Sequence, residues 1–243
     1  MKRKLFAVSM AAGMVACGSS DKKEETTKKE ETKKEDKETK KLEGTLKVVT
    51  TGDAYQPLFD KFTEEVGPKV EFISMSSGEV LSKLKAEGGT PAADLWFGGG
   101  IDAFMDAKDN NLLEKVDFDA ADELAPEFKD SDNYWFSKGV TVVGFIVNND
   151  ILKEKGLEAP KSWDDLTKEE YQGEVLMSNP AISGTNYAVV NALLQTKGDE
   201  EGWKYFEALN KNVDYYSKRG SDPSTKTAAG EVGIGITYIN GTL

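Results

Sequence analysis

Histidine is absent from this chain of 243 residues, cysteine occurs once and arginine twice. Without histidine or a second cysteine, the usual nucleophile–base pairs cannot be assembled. A lone cysteine also excludes an internal disulfide and a cysteine-based metal cluster. No Walker-type phosphate loop is present. The sequence therefore reads as a binding protein that is not an enzyme and takes no cofactor. Long apolar runs are missing as well. The leading run, Leu5–Ala16, falls short of the about 20 residues that a spanning helix needs. Positive charge is scarce, with 31 basic against 43 acidic side chains. That balance excludes nucleic acid as a partner, because phosphate backbones need a basic surface.

The N-terminal segment has the parts of an export signal: Lys2, Arg3 and Lys4, then the short apolar run, then small residues. Val15-Ala16-Cys17 resembles a bacterial lipobox, which implies residues 1–16 as signal peptide and Cys17 as the lipidated first residue of the mature chain. Residues 17–43 read as a charged, solvated spacer. Between residues 21 and 43 nine basic and nine acidic side chains alternate in blocks, with no apolar residue before Leu42. Such a segment cannot bury a core. The body from Gly44 onward then carries 19 basic and 34 acidic residues, about −15 in formal charge, and Arg219 is its one arginine. Its length suffices for one large or two small domains.

The body alternates strand and helix patterns. Strands are expected at 46–50, 70–74, 94–97, 139–148, 174–177, 213–216 and 232–238. Helices are expected at 54–66, from Ser76 or Ser77 to about 87, from 101 to 107, and at 184–196, 199–210 and 222–229. Ser162-Trp163-Asp164-Asp165 reads as a capping box opening a short helix. Such alternation implies an α/β fold with mostly parallel sheets. Ligands of open α/β sheets bind beyond the carboxyl ends of the strands. Four such ends carry the same chemistry: Thr51-Gly52, Ser76-Ser77-Gly78, Gly98-Gly99-Gly100 and Ser183-Gly184-Thr185. Hydroxyls and bare amides at helix starts attract anions. Four of them point to one shared anion-accepting cleft.

Five motifs in order carry a family resemblance: Trp96-Phe97-Gly98-Gly99-Gly100-Ile101-Asp102-Ala103-Phe104, Gly144-Phe145-Ile146-Val147-Asn148, Pro160-Lys161-Ser162-Trp163-Asp164-Asp165-Leu166, Tyr171-Gln172-Gly173-Glu174-Val175 and Asn179-Pro180-Ala181-Ile182-Ser183-Gly184-Thr185. The series is similar to the periplasmic solute-binding proteins of ABC importers, in the branch of ferric-ion, phosphonate and sugar-phosphate binders. The resemblance implies two α/β lobes joined by crossing strands. Residues 44–143 would form the first lobe and residues 144–243 the hinge and second lobe, with 139–148 in the first crossing. It implies a monomer that delivers a small anionic solute to a permease and ATPase, touching the membrane through its lipid anchor alone. Relatives continue beyond this point, so the second crossing and the end of the first lobe are expected to be missing.

Two ligands fit the branch. A phosphonate or sugar phosphate suits the Ser, Thr and Gly loops, with Arg219 adding a bidentate contact. Ferric ion would instead draw on Asp53 and Tyr238, because a hard cation wants anionic oxygen. Tyr215 and Tyr216 are strand neighbours and point to opposite faces, one expected in the core and one outside. A surface antigen or adhesin would need the anchor and spacer only, and would have no use for stacked donor loops.

Overall fold

A computed structural model describes residues 41–239. Cys17, the signal segment and nearly all of the spacer lie outside the described residues. Two separate sheets, each with its own helices, form two lobes. In the first, β1 (Thr45–Thr50) lies between β2 (Lys69–Ser74) and β3 (Leu95–Phe97), all parallel. Helices α1 (Gln56–Val66), α2 (Ser77–Ala86) and α3 (Ile101–Asp109) connect and cover them. Val48 and Val49 are neighbours on β1, yet both are buried, so both faces of the sheet are covered. On one face Phe59 of α1 packs on Phe72 and Phe97, with ring centroids 5.1 and 5.6 Å away. Trp96 turns the other way and stacks on Phe104 of α3 at 4.1 Å.

The second lobe has a four-stranded sheet in the order β4 (Val143–Val147), β7 (Ile234–Tyr238), β5 (Val175–Ser178), β6 (Val213–Ser217). β4 runs antiparallel to β7, and the other pairs are parallel. Its helices are α4 (Asn149–Glu154), α5 (Gly184–Lys197), α6 (Asp199–Asn212) and α7 (Asp222–Ala228). The main core is here. Leu166, Val175, Met177, Leu209, Ile234 and Ile236 are almost wholly buried together, each contributing roughly 1.5–3 kcal/mol.

Register sets where the loops emerge. Thr50 lies level with Ser74 on one side and with Phe97 on the other. The loops after β1, β2 and β3 therefore leave the sheet at one height. Ser178 is level with Ser217, so the loops after β5 and β6 also leave together.

Three expectations are corrected. The strand expected at 139–148 is β4 alone, five residues long. Val143 pairs with Tyr238, the last residue of β7, so residues before it have no ladder partner beyond the Ile239 amide bonded to the Val142 carbonyl at 2.9 Å. The Ser162 capping box does form, with Asp165 and Ser162 bonding each other reciprocally at 3.0 and 3.2 Å, but it opens a 3-10 turn and no α-helix. Lys168 and these amides hold the Asp165 carboxyl down at about 2. Tyr215 and Tyr216 are both substantially exposed, at 39% and 42%. β6 is an edge strand, and the register shifts beside it between Val175 and Met177. The tidy alternation of core and surface is lost there.

Candidate functional site

The cleft loops meet at three helix starts. Gly100, the N-cap of α3, donates its amide to Ser77 Oγ at the start of α2, at 3.1 Å. Ser77 Oγ would stand 2.8 Å from a Cβ built on Gly184, the first residue of α5. A Cβ on Gly100 would stand 3.3 Å from the Gly184 Cα. Bare glycines are what allow this approach. Each helix brings unpaired first-turn amides and the positive end of its dipole. The first turn of α2 holds Glu79 and that of α3 holds Asp102, but that of α5 has no acidic residue. Both carboxylates are engaged. Glu79 accepts the Ser76 amide at 2.9 Å, confirming Ser76 as the cap of α2, and Asp102 accepts Asn191 Nδ2 at 3.1 Å.

Ser183 stands at the N-cap of α5, 2% exposed, and its Oγ has no hydrogen-bond partner. Although it occupies the N-cap position, its side chain makes no cap bond. A buried unpaired hydroxyl costs about 1–3 kcal/mol, so it needs a reason. Ser183 Oγ and Thr185 Oγ1 both lie against Gly220, at 3.2 and 2.3 Å from where its Cβ would be. The loop after β6 turns its carbonyls toward other partners. Ser76 Oγ donates to the Lys218 carbonyl at 3.3 Å, Ser178 Oγ to that of Arg219 at 2.6 Å, and Thr237 Oγ1 to that of Gly220 at 2.8 Å. Tied carbonyls no longer compete with an anion for the surrounding donors.

The same residues hold the lobes together. The Gly78 amide donates to the Ile182 carbonyl at 2.9 Å, and Arg219 Nη1 donates to Ser74 Oγ at 2.9 Å. Together with Ser76–Lys218 and Asp102–Asn191, they fasten one lobe on the other.

Most of the residues picked out from the sequence converge: Ser76, Ser77, Gly78, Gly99, Ser183, Gly184 and Thr185 are at the lobe contact, and Thr51 packs on Gly98. Gly99 stands with Ser77 Oγ 2.8 Å from its Cβ position. Gly52 has open space there. Arg219 is exposed and engaged with Ser74 of the other lobe. Asp53 is exposed on a single 3-10 turn. Tyr238 ends β7, and alternation turns it to the face opposite Thr237. Among the described residues, no group of three or more His, Cys, Asp or Glu side chains is gathered to hold a metal ion. Burial raises the pKa of Tyr216, and its hydroxyl donates to Asn210 Oδ1 at 2.7 Å. Elsewhere, a surface hollow of about 390 Å³ is lined by Lys108, Asp132 and Tyr134. Lys115 lines it too, and both lysines have carboxylate partners, Lys108 with Asp130 and Asp132 at 2.7 and 2.9 Å and Lys115 with Asp117 at 4.0 Å.

Sequence reasoning missed Tyr55 and Lys138. The Lys138 ammonium donates to the Tyr55 hydroxyl and lies 4.2 Å above the Tyr55 ring. Nothing local marks either residue; both lie beside the Gly98 backbone, where a Cβ would meet Lys138 Cε at 3.5 Å and the Tyr55 hydroxyl at 3.6 Å.

Two α/β lobes thus meet at a donor-lined contact beyond their strand ends. The chain belongs to the bacterial extracellular solute-binding protein family, whose model matches residues 57–242. It is 34% identical over 184 residues to an uncharacterized protein of Haemophilus influenzae, covering 74% of this chain and 53% of that one. It is 28% identical over 180 residues to the Fe(3+)-binding periplasmic protein of Serratia marcescens, covering 74% and 52%. Among solved structures it is similar to the periplasmic binding protein AfuA from Actinobacillus pleuropneumoniae, with exogenous fructose-6-phosphate bound. The TM-score is 0.78, with 30% identity over 82% of this chain and 65% of that one. The chain thus spans about half the length of these two sequence relatives. Two of these three relatives carry the name of a periplasmic binding protein.

Proposed function

We propose that this chain is the solute-binding protein of an ABC importer and that its solute is a small organophosphate, such as a phosphonate or sugar phosphate. One observation carries the reading: three helix N-termini meet at Ser77, Gly100 and Gly184, beside the buried, unpartnered Ser183 hydroxyl. Three positive dipole ends brought together favour an anion among them, and the first turn of α5 has no carboxylate of its own to offset its dipole. When the lobes part, the amides of residues 184–186 and the hydroxyls of Ser183, Thr185, Ser76 and Ser77 become donors for a phosphate. Residues 44–143 and 144–243 are the two halves that separate. The partners are a permease and an ATPase, the binding protein is a monomer, and the lipid on Cys17 holds it to the cell envelope.

A ferric cargo is the second reading, favoured by the name of the Serratia marcescens relative. It would rest on Asp53 and Tyr238. Calorimetry of the full-length protein separates the two. Fructose 6-phosphate, glycerol 3-phosphate and 3-phosphoglycerate form one panel, and ferric citrate is the alternative. Binding to at least one organophosphate, unaffected by Tyr238→Phe, is the expected result. Ferric citrate binding alone, lost in Tyr238→Phe, would overturn the reading. The anchor has its own test. Cys17→Ser should move the protein from the membrane to the soluble fraction, and unchanged partition would refute lipidation.

A further inference from the structure

A second group of donors stands on the first lobe, one turn away from the phosphate cradle. Gly98 holds a left-handed backbone, φ +89. A Cβ there would stand 2.8 Å from Thr51 Oγ1, 3.5 Å from Lys138 Cε and 3.6 Å from the Tyr55 hydroxyl oxygen. The Lys138 ammonium lies 4.2 Å above the Tyr55 ring and 5.2 Å above that of Phe97. These rings hold the cation in place by cation–π attraction. An ammonium has three donors, and the Tyr55 hydroxyl takes one. Several other lysines of this lobe are bridged to carboxylates, among them Lys85 to Asp106, Lys108 to Asp130 and Asp132, and Lys129 to Asp122. Among the described residues no carboxylate pairs with Lys138.

This cation sits close to the cradle. Consecutive Cα atoms are about 3.8 Å apart, so the Cα atoms of Gly98 and Gly100 are separated by at most about 7.6 Å. Gly100 touches the start of α5. One small molecule can span the two places. An unneutralised cation flanked by two hydroxyls selects negative charge.

Building on the organophosphate reading, we propose that Lys138, with the hydroxyls of Tyr55 and Thr51, is a second anion subsite. The preferred solute then carries a carboxylate, or another anionic group, at the end opposite its phosphate. The test uses three probes with similar phosphates and different tails: 3-phosphoglycerate (anionic), glycerol 3-phosphate (neutral) and phosphoethanolamine (cationic). Full-length wild type should bind them in that order of decreasing affinity. Lys138→Met keeps the stem over the rings and removes the charge. It should weaken 3-phosphoglycerate roughly ten- to a hundredfold and change glycerol 3-phosphate by less than about threefold. Lys138→Arg should restore the preference. The melting temperature without solute should be the same in all three proteins. Equal losses for both probes in Lys138→Met, or wild type that binds all three probes alike, would overturn this inference alone. Wild type that binds none of them would overturn the organophosphate reading and this inference together.

Discussion

Ser183→Ala combined with Thr185→Val is expected to weaken organophosphate binding by about tenfold to a thousandfold while the unliganded fold stays intact. On the proposed reading each hydroxyl would donate one hydrogen bond to the phosphate, and a hydrogen bond to a charged group is worth roughly 1.5–3 kcal/mol. Water recovers part of this when the site reopens, which sets the lower end. The structure makes the double variant cleaner than the sequence suggested. An N-cap serine ordinarily stabilises its helix, and its loss costs about 1 kcal/mol. Ser183 makes no such bond, and its buried Oγ is unpaired. Alanine there removes an unsatisfied group. Valine at 185 keeps the shape of threonine. Melting without solute should therefore not fall, and calorimetry should show the whole effect in affinity. A variant with wild-type affinity for whichever organophosphate binds would refute the cradle.

Gly78→Ala is expected to cost a hundredfold or more in affinity by a different route. The methyl group would stand 2.2 Å from the Ala181 carbonyl oxygen and 3.0 Å from the Ile182 Cα, both on the opposite lobe. Those are backbone atoms and cannot swing aside. The lobes must stay apart, so the Gly78–Ile182 bond is lost and Ser76–Lys218 and Arg219–Ser74 are weakened. Solute held by one lobe forfeits the charge-assisted contacts of the other. Two such contacts, at roughly 1.5–3 kcal/mol each, already exceed a hundredfold. Within the first lobe the change is benign. Gly78 lies in the first turn of α2, and alanine is a better helix former than glycine by about 1 kcal/mol. Unliganded melting that holds or rises, with binding lost, is the signature of blocked closure. Full affinity in this variant would show that the solute is not clasped between these surfaces.

Much of this was readable in the sequence because it depends on local pattern. Short apolar runs ending in Ser, Thr or Gly gave β1, β2, β3 and β5, and with the last three of them three of the loops at the lobe contact. The rest depends on partners far along the chain. Residues 139–142 alternate as a strand should, but a strand exists only where another lies beside it, and β7 reaches only as far as Val143. Tyr215 and Tyr216 obey a period of two, yet an edge strand beside an irregular register has no core to put one of them in. Lys138 is one lysine among many until the fold sets it over the rings of Tyr55 and Phe97, far away in the sequence. The role of Arg219 was also hidden, because its partner Ser74 lies 145 residues away on the other lobe.

Phosphorus NMR tests the central claim most directly, because it observes the group that the three helix starts are proposed to hold. Glycerol 3-phosphate titrated with the full-length wild-type protein should give a shifted or broadened phosphorus resonance at stoichiometric protein. The same titration with the Ser183→Ala, Thr185→Val protein should leave the resonance close to that of the free compound until much higher protein concentration. A resonance that responds equally to both proteins, or to neither, would contradict a phosphate held at the start of α5.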